Sequence, residues 1–154
     1  MEENQKKMTF EEALQLVQKS GSMLIRLDPE FQNNFDIVLA AVKNCGEALK
    51  FASKDRQNDP EIVLTAVKQD WRALEYASER LKNDPDIVMA AVKQNENAII
   101  YISDAKLKDD IEQVFTLASA KGIRNLQETL TGKLQVLSVE KAAEFLLELG
   151  NPRE

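Results

Sequence analysis

The chain has 154 residues, of which 44% are apolar and 30% are charged, and its formal net charge is −6. This composition is typical of a single folded domain, which at this length buries most of the surface that its unfolded chain exposes. The negative charge opposes general binding to phosphate backbones, and the absence of histidine removes the most common general base and metal ligand.

The cysteine count and the distribution of apolar residues indicate in which cellular compartment the protein is expected. Cys45 is the single cysteine, so an intramolecular disulfide is excluded, and without histidine it cannot act as a papain-like nucleophile. The first residues lack the pattern of a cleavable signal, and the longest strongly apolar run, Ile37 to Val42, is far shorter than the ~20 residues of a membrane span. We expect a soluble protein of the cytoplasm or another reducing compartment. Because some export routes use no cleavable signal, these N-terminal residues also permit secretion into a host.

The first predicted helix starts at Thr9, because Thr9 and Glu12 have the spacing of a capping box. It opens a degenerate repeat over residues 9–32. The positions that identify this repeat recur 25 residues later, as Leu14 with Leu39, Val17 with Val42, Gly21 with Gly46 and Leu24 with Leu49. Atypical terminal copies are expected of stacked repeats, because the ends of the stack face water.

Three core repeats follow and align without gaps, at residues 33–53, 58–78 and 83–103. Each is predicted to form two short helices. The first helix follows a capping residue and ends in a lysine that suits the helix dipole, and in two copies proline takes its first position. The caps are Asn34, Asp59 and Asp84, the prolines Pro60 and Pro85, and the lysines Lys43, Lys68 and Lys93. Between them runs IVLAAV, IVLTAV or IVMAAV, which predicts a helix that is buried on most sides.

The second helix of each core repeat carries an apolar stripe at positions i, i+1 and i+4, as in Ala73, Leu74 and Ala77. This spacing predicts one buried face. The column of aromatic residues in these helices, Phe51, Tyr76 and Tyr101, is interpreted as part of the core rather than as a stacking platform.

Residues 104–154 are predicted to form a C-terminal helical cap. One helix would open at Asp109 or Asp110 and end near Gly122, and a last helix would start at Ser138. Ser138 and Lys141 form an S-x-x-K string, but its companion motifs are missing, so Ser138 is interpreted as a helix cap. The predicted fold is all-α, a single domain over 1–154. About four stacked helical hairpins of period 25 would form an α-solenoid-like stack that ends in the cap.

The pattern N-D-x-[DE]-I-V-L-x-A-V-K-x-x-x-x-A-L-x-x-A-S recurs three times in phase, and it closely resembles the domain of unknown function four-one-one-six. The resemblance covers roughly residues 28–103. It implies a helical repeat fold, found in tandem in protists and in bacterial proteins that include effectors of intracellular pathogens. It implies no catalytic residues. The family usually has glycine where Gly46 stands, whereas the next two copies carry Trp71 and Glu96.

Two sets of residues are candidates for binding a partner. Trp71 either packs between the helices of its own hairpin or forms a partly exposed anchor, in which case Trp71→Ala weakens binding more than folding. The second set is the in-phase lysines with their polar neighbours, which are either solvated helix ends or a ridge for an acidic partner or phosphates. It consists of Lys43, Lys68 and Lys93 with Asn44, Gln69 and Gln94, and acidic residues also recur in phase at Asp36, Glu61 and Asp86.

These patterns favour a protein–protein interaction module over an enzyme. The chain has no phosphate-binding glycine loop and no ligand set for structural zinc, so neither a catalytic, a metal nor a cofactor site is predicted. The expected partner is an unidentified protein, and through the resemblance the module would serve a bacterial effector or accessory protein. The alternatives are a nucleic-acid or polyanion binder along the lysine row, and a structural or oligomerising subunit.

Overall fold

The computed structural model describes residues 7–120, which form only helices, without strands. A long α-helix, a 3₁₀-helix and a one-turn α-helix follow each other and recur every 25 residues. The long helices are α1 (Phe10–Lys19), α3 (Phe35–Asn44), α5 (Pro60–Gln69) and α7 (Pro85–Gln94). The 3₁₀-helices are η1 (Gly21–Arg26), η2 (Gly46–Phe51), η3 (Trp71–Tyr76) and η4 (Glu96–Tyr101). The short helices are α2 (Pro29–Gln32), α4 (Lys54–Gln57) and α6 (Glu79–Lys82), and the last described helix is α8 (Ala105–Ala120).

The all-α repeat architecture is confirmed, but the repeat unit contains more helices than the two that were predicted. The second helix of each copy is a 3₁₀-helix, and in the first three copies a third, one-turn helix leads into the next copy. The change of helix type follows from one extended residue, such as Cys45 with φ of −148°, which ends the long helix and restarts the chain at a new angle. We refer to α1–η1–α2, α3–η2–α4, α5–η3–α6 and α7–η4 as copies 1 to 4.

The predicted helix caps are confirmed. Thr9 and Glu12 form a complete capping box at the start of α1. The carboxylate of Asp59 accepts hydrogen bonds from the backbone N–H groups of Glu61 and Ile62, at 3.1 and 3.3 Å. Asp84 caps α7 in the same way, and the amide oxygen of Asn34 caps α3 by accepting from the N–H of Ile37. These caps satisfy donors that have no partner within their own helix, and so fix where each copy begins.

Replacement of Asp59 by alanine is expected to lower the free energy of unfolding by about 1 kcal/mol, because it removes the cap of α5. It also removes the partner of the Arg56 guanidinium, which lies 3.1 Å from the carboxylate. Urea unfolding followed by circular dichroism measures the change. Asp55→Ala is the matched control, because it removes the same charge from the first turn of α4 and not from a cap position. Equal losses in the two variants would contradict the capping role.

An aliphatic core runs through all four copies. On each of α3, α5 and α7 one side is buried against its neighbours. The 3₁₀-helices add a buried leucine in copies 1 to 3 and a buried alanine in copies 2 to 4. The packing is sequential, since each long helix lies against the long helix of the next copy. The buried positions recur in phase as Ile37, Val38, Ala41 and Val42, as Ile62, Val63, Ala66 and Val67, and as Ile87, Val88, Ala91 and Val92.

Two glycines allow neighbouring copies to approach closely. A Cβ atom on Gly46 would lie 2.5 Å from the carbonyl oxygen of Ala66, and one on Gly21 would meet that of Ala41 in the same way. Neither residue has a left-handed backbone, so the turn itself does not require glycine. The role is therefore contact with the next copy, and Trp71 and Glu96 occupy the same position in copies 3 and 4.

The junction between copies 3 and 4 differs from the two before it. The backbone N–H groups of Ser53 and Ser78 each donate to a carbonyl of the preceding copy, that of Gln32 or Gln57, at 2.9 Å. The N–H of Ser103 instead donates to the side chain of Asn83 at 3.0 Å. The backbone link between successive copies is thus replaced by a side-chain link at the junction that follows Trp71.

The start of the last described helix was predicted wrongly. The helix α8 begins at Ala105 and not at Asp109 or Asp110, and the Asp104 carboxylate accepts from the N–H of Leu107 at 2.9 Å. Earlier copies break at an Asn-Asp-Pro or Asn-Asn sequence, whereas residues 108–110 lack both asparagine and proline. The helix therefore continues where the others stop. The predicted helix end near Gly122, the predicted cap at Ser138 and the rest of the predicted C-terminal cap over 121–154 lie outside the described residues.

Candidate functional site

Each long helix leaves one side facing solvent. On α3, Asp36, Leu39, Ala40 and Lys43 share this side, because residues three, four and seven apart lie on one helix face. Asp36 and Lys43 are exposed, and Leu39 and Ala40 are half-buried. The expectation that this helix is buried on most sides therefore fails along this stripe.

The same stripe recurs on the next two long helices. We call it the long-helix face: Asp36, Leu39, Ala40 and Lys43 on α3, Glu61, Leu64, Thr65 and Lys68 on α5, and Asp86, Met89, Ala90 and Lys93 on α7. Because these helices pack in sequence, the face has an acidic edge at the helix starts, an apolar middle and a lysine edge at the helix ends. The two edges carry opposite charge, so a ligand of one sign is attracted to only one of them.

A groove runs between the first two long helices on this side. Its volume is about 500 Å³, and its walls include Gln18 of α1 and Asp36, Leu39 and Lys43 of α3. The groove is open to solvent and combines the apolar side chains of Leu39 and Ala40 with groups of both charges. Such a lining suits a side chain or a short segment of a partner better than an enclosed cofactor.

The candidate lysines lie at the same place on successive helices. Lys43 and Lys68 are exposed, and Lys93 is half-buried. Each follows an acidic residue by seven positions on its own helix, so the lysine row is one edge of a face with two charges. The lysine ridge suggested by the sequence therefore lies beside an acidic edge, and whether it binds an acidic partner or phosphates stays a prediction.

Two of the polar neighbours of these lysines hold the stack together. The Asn44 amide accepts from the N–H of Gly21 at 2.8 Å and donates to the carbonyl of Gln18 at 3.1 Å. The Gln94 amide accepts from the N–H of Trp71 at 3.1 Å and donates to the carbonyl of Val67. Each thus joins two copies across the start of a 3₁₀-helix. Gln69 stands at the equivalent position of α5 and is exposed.

Trp71 packs against the core and also contacts the next copy. Its ring centroid lies 6.0 Å from that of Tyr101 at an interplanar angle of 36°, and the side chain is half-buried against the core. Burial raises the pKa of the Tyr101 phenol, and the charge of Glu75 and a hydrogen bond to it act in the same direction. Loss of the indole should therefore weaken this junction, and whether it weakens partner binding more stays a prediction.

The aromatic column is only partly in the core. Phe51, Tyr76 and Tyr101 are each half-buried and pack against the buried residues. The ammonium group of Lys50 lies 4.9 Å from the centre of the Phe51 ring. These rings therefore line the outer side of the 3₁₀-helices.

Within residues 7–120, no three His, Cys, Asp or Glu side chains come together in a way that could hold a metal ion. No helix in the described part of the chain is both long and apolar enough to span a bilayer.

The apolar column of Leu39, Leu64 and Met89 was missed by the sequence reading. Its signal was present, because each of these residues lies three positions after an exposed acid and four before a lysine. Residues at that spacing share a helix face with the charged residues, although part of each side chain still packs against the core. The spacing was overlooked because these residues lie inside the continuous apolar runs IVLAAV, IVLTAV and IVMAAV.

The comparisons with known proteins place the repeats in a recognised group. A family model described as a domain of unknown function, DUF4116, matches residues 10–56 and again residues 59–112, which together cover more than half of the chain. Each match spans two of the 25-residue copies. Neither the search of the curated proteins nor that of the solved structures found a match.

Proposed function

Because the chain belongs to the DUF4116 family, whose description assigns no activity, we propose a function from the surface that its repeats build. The protein is a module that binds another protein along the long-helix face. A role in a bacterial effector or accessory protein would follow from the identity of that partner.

The observation that carries this proposal is the row of half-exposed apolar residues between two charged edges. Leu39, Leu64 and Met89 recur on three helices that pack side by side, so their exposed surfaces form one continuous strip. Each of these side chains packs against the core with part of its surface, and the part left exposed is apolar area that the described fold does not bury. Burial of the strip by a partner would stabilise a complex by removing apolar area from water.

The charges favour a protein over a polyanion as the partner. A nucleic acid on the lysine edge would lie within one helix length of Asp36, Glu61 and Asp86, and the net charge of −6 adds to the repulsion. A protein surface can present both charges and an apolar centre, and can therefore match all three parts of the face.

The test compares two double variants in affinity purification of the intact chain from cells that produce it, with the bound proteins quantified by mass spectrometry. Leu39→Gln/Leu64→Gln places amides in the apolar strip and is expected to reduce recovery of the specific partner about tenfold or more. Ile25→Gln/Ile100→Gln makes the same chemical change at two exposed positions of the 3₁₀-helices and should leave recovery unchanged. Circular dichroism confirms that both variants are folded.

Equal recovery by the wild type and the Leu39→Gln/Leu64→Gln variant would overturn the proposal, as would loss confined to the isoleucine variant. Repeating the purification after nuclease treatment and at raised salt separates the polyanion alternative. If recovery of the partner by both variants falls steeply as the salt concentration rises, the partner binds through phosphates. The Trp71→Ala variant in the same series tests whether the indole contributes to binding beyond its contact with Tyr101.

A further inference from the structure

A second concave site lies between copies 2 and 3, on the 3₁₀-helices and short helices rather than on the long-helix face. This cleft has a volume of about 560 Å³. Lys50, Lys54 and Gln57 of copy 2 line one part of it, and Tyr76 and Lys82 of copy 3 line another. The volume lies in the range of sites that hold small molecules.

The three lysines of the cleft depart from the repeat pattern. At the position of Lys50 the other copies carry Ile25, Glu75 and Ile100, and at the position of Lys54 copies 1 and 3 carry Pro29 and Glu79. The fold therefore forms without lysine at either position. Lys50 and Lys54 occur only at the junction of copies 2 and 3, so the repeat architecture alone does not account for them.

Lys82 replaces a residue that has a structural role in the earlier copies. At its position copies 1 and 2 have glutamine, and the amides of Gln32 and Gln57 donate to the carbonyls of Leu24 and Leu49, at 3.1 Å each. A lysine at this position gives up that bond between the short helix and the 3₁₀-helix. The Lys82 side chain is only 18% exposed, although it carries a charge.

The present partners of these lysines are weak. Lys54 donates to the neutral amide oxygen of Gln57 at 3.0 Å, and Lys50 lies 3.7 Å from the carboxylate of Glu47. Lys82 pairs with Glu79 at 3.0 Å, and the Glu79 side chain is 70% exposed. The Lys50–Glu47 pair contributes little, because both side chains are partly exposed and water and salt screen their charges.

The two carboxylates at the cleft are engaged with copy 4. Glu79 accepts a hydrogen bond from the Ser103 hydroxyl, which with Lys82 holds its pKa below the usual range. Glu75 interacts with the Tyr101 phenol. Both acids thus have partners in copy 4, and the positive charge of Lys50 and Lys54 in the cleft has no carboxylate from copy 3 bound to it.

We propose that this cleft binds a phosphate-bearing ligand, held by Lys50, Lys54 and Lys82 across the junction of copies 2 and 3. A phosphate group supplies enough acceptor oxygens for three ammonium donors, and the Tyr76 side chain at the cleft is available to the remainder of the ligand. A ligand that bridges the two copies would also stabilise their junction, because its site exists only while copies 2 and 3 are packed together.

The test uses the full chain and inorganic pyrophosphate as the probe, with binding measured by calorimetry at constant ionic strength. Lys50→Gln/Lys54→Gln/Lys82→Gln is expected to weaken binding about tenfold or more, since it removes all three charged donors. The matched control, Lys7→Gln/Lys19→Gln/Lys106→Gln, lowers the net charge equally at exposed positions outside both the cleft and the long-helix face, and should bind as the wild type does. A serine-phosphorylated pentapeptide and its unmodified form make up a second arm.

Equal weakening in the two triple variants would overturn the proposal, because net charge alone would then explain the binding. Failure of the wild type to bind either probe at millimolar concentration would also overturn it. Tighter binding of the phosphopeptide than of pyrophosphate would identify the ligand as a modified protein, and the reverse order would identify a small phosphate compound. Neither result depends on the long-helix face, so the two proposals succeed or fail separately.

Discussion

Gly46→Ala is expected to lower the free energy of unfolding by about 2 kcal/mol or more, a large effect for the addition of one methyl group. The new Cβ would lie 2.5 Å from the carbonyl oxygen of Ala66 and 3.1 Å from the Cβ and the backbone nitrogen of Asp70. These are backbone atoms and a Cβ of the next copy, which cannot turn away as the end of a flexible side chain can. Copies 2 and 3 would have to move apart along their whole contact.

The control for this variant is Glu96→Ala, at the same position of copy 4. That position already carries an exposed side chain, so truncation to alanine should change stability by no more than about 0.5 kcal/mol. Thermal unfolding followed by circular dichroism distinguishes the two variants directly. If Gly46→Ala unfolds at the wild-type temperature, the close approach of copies 2 and 3 is not a requirement of the fold.

Leu74→Ala is expected to cost about 2–5 kcal/mol, because Leu74 is fully buried at the middle of the stack and its removal leaves a cavity. The loss should show as a lower urea midpoint. Ile100→Ala removes an apolar side chain from the next 3₁₀-helix where it is 62% exposed, and should cost no more than about 0.5 kcal/mol. Similar costs for the two changes would mean that Leu74 does not belong to a packed core.

The features that sequence predicted well are those set by a few neighbouring residues. The caps Asn34, Asp59 and Asp84 were correct, because a cap depends on the chemistry of one residue and the backbone just after it. The period of 25 needed only comparison of the chain with itself. The start of α8 was wrong, because the prediction relied on a capping acid and gave too little weight to the missing asparagine and proline.

The features that sequence could not predict depend on contacts between copies. An Ala-Leu pair followed by a small apolar residue fits both an α-helix and a 3₁₀-helix, and the extended residue before it decides between them. Gly46 has the appearance of a turn residue in the sequence, and only the position of Ala66, twenty residues away, reveals its role. The cleft of Lys50 and Lys82 likewise exists only once copies 2 and 3 are stacked.

The altered junction between copies 3 and 4 has a consequence for how such arrays change in length. The junctions after copies 1 and 2 each require a glycine and a backbone hydrogen bond, so an inserted copy must reproduce both to fit. After copy 3, Trp71 replaces the glycine and the Asn83 side chain replaces the carbonyl acceptor. A 25-residue unit added at either of the first two junctions must therefore carry a glycine and a backbone donor, whereas one added after copy 3 must instead provide the side-chain partners of Trp71 and Asn83.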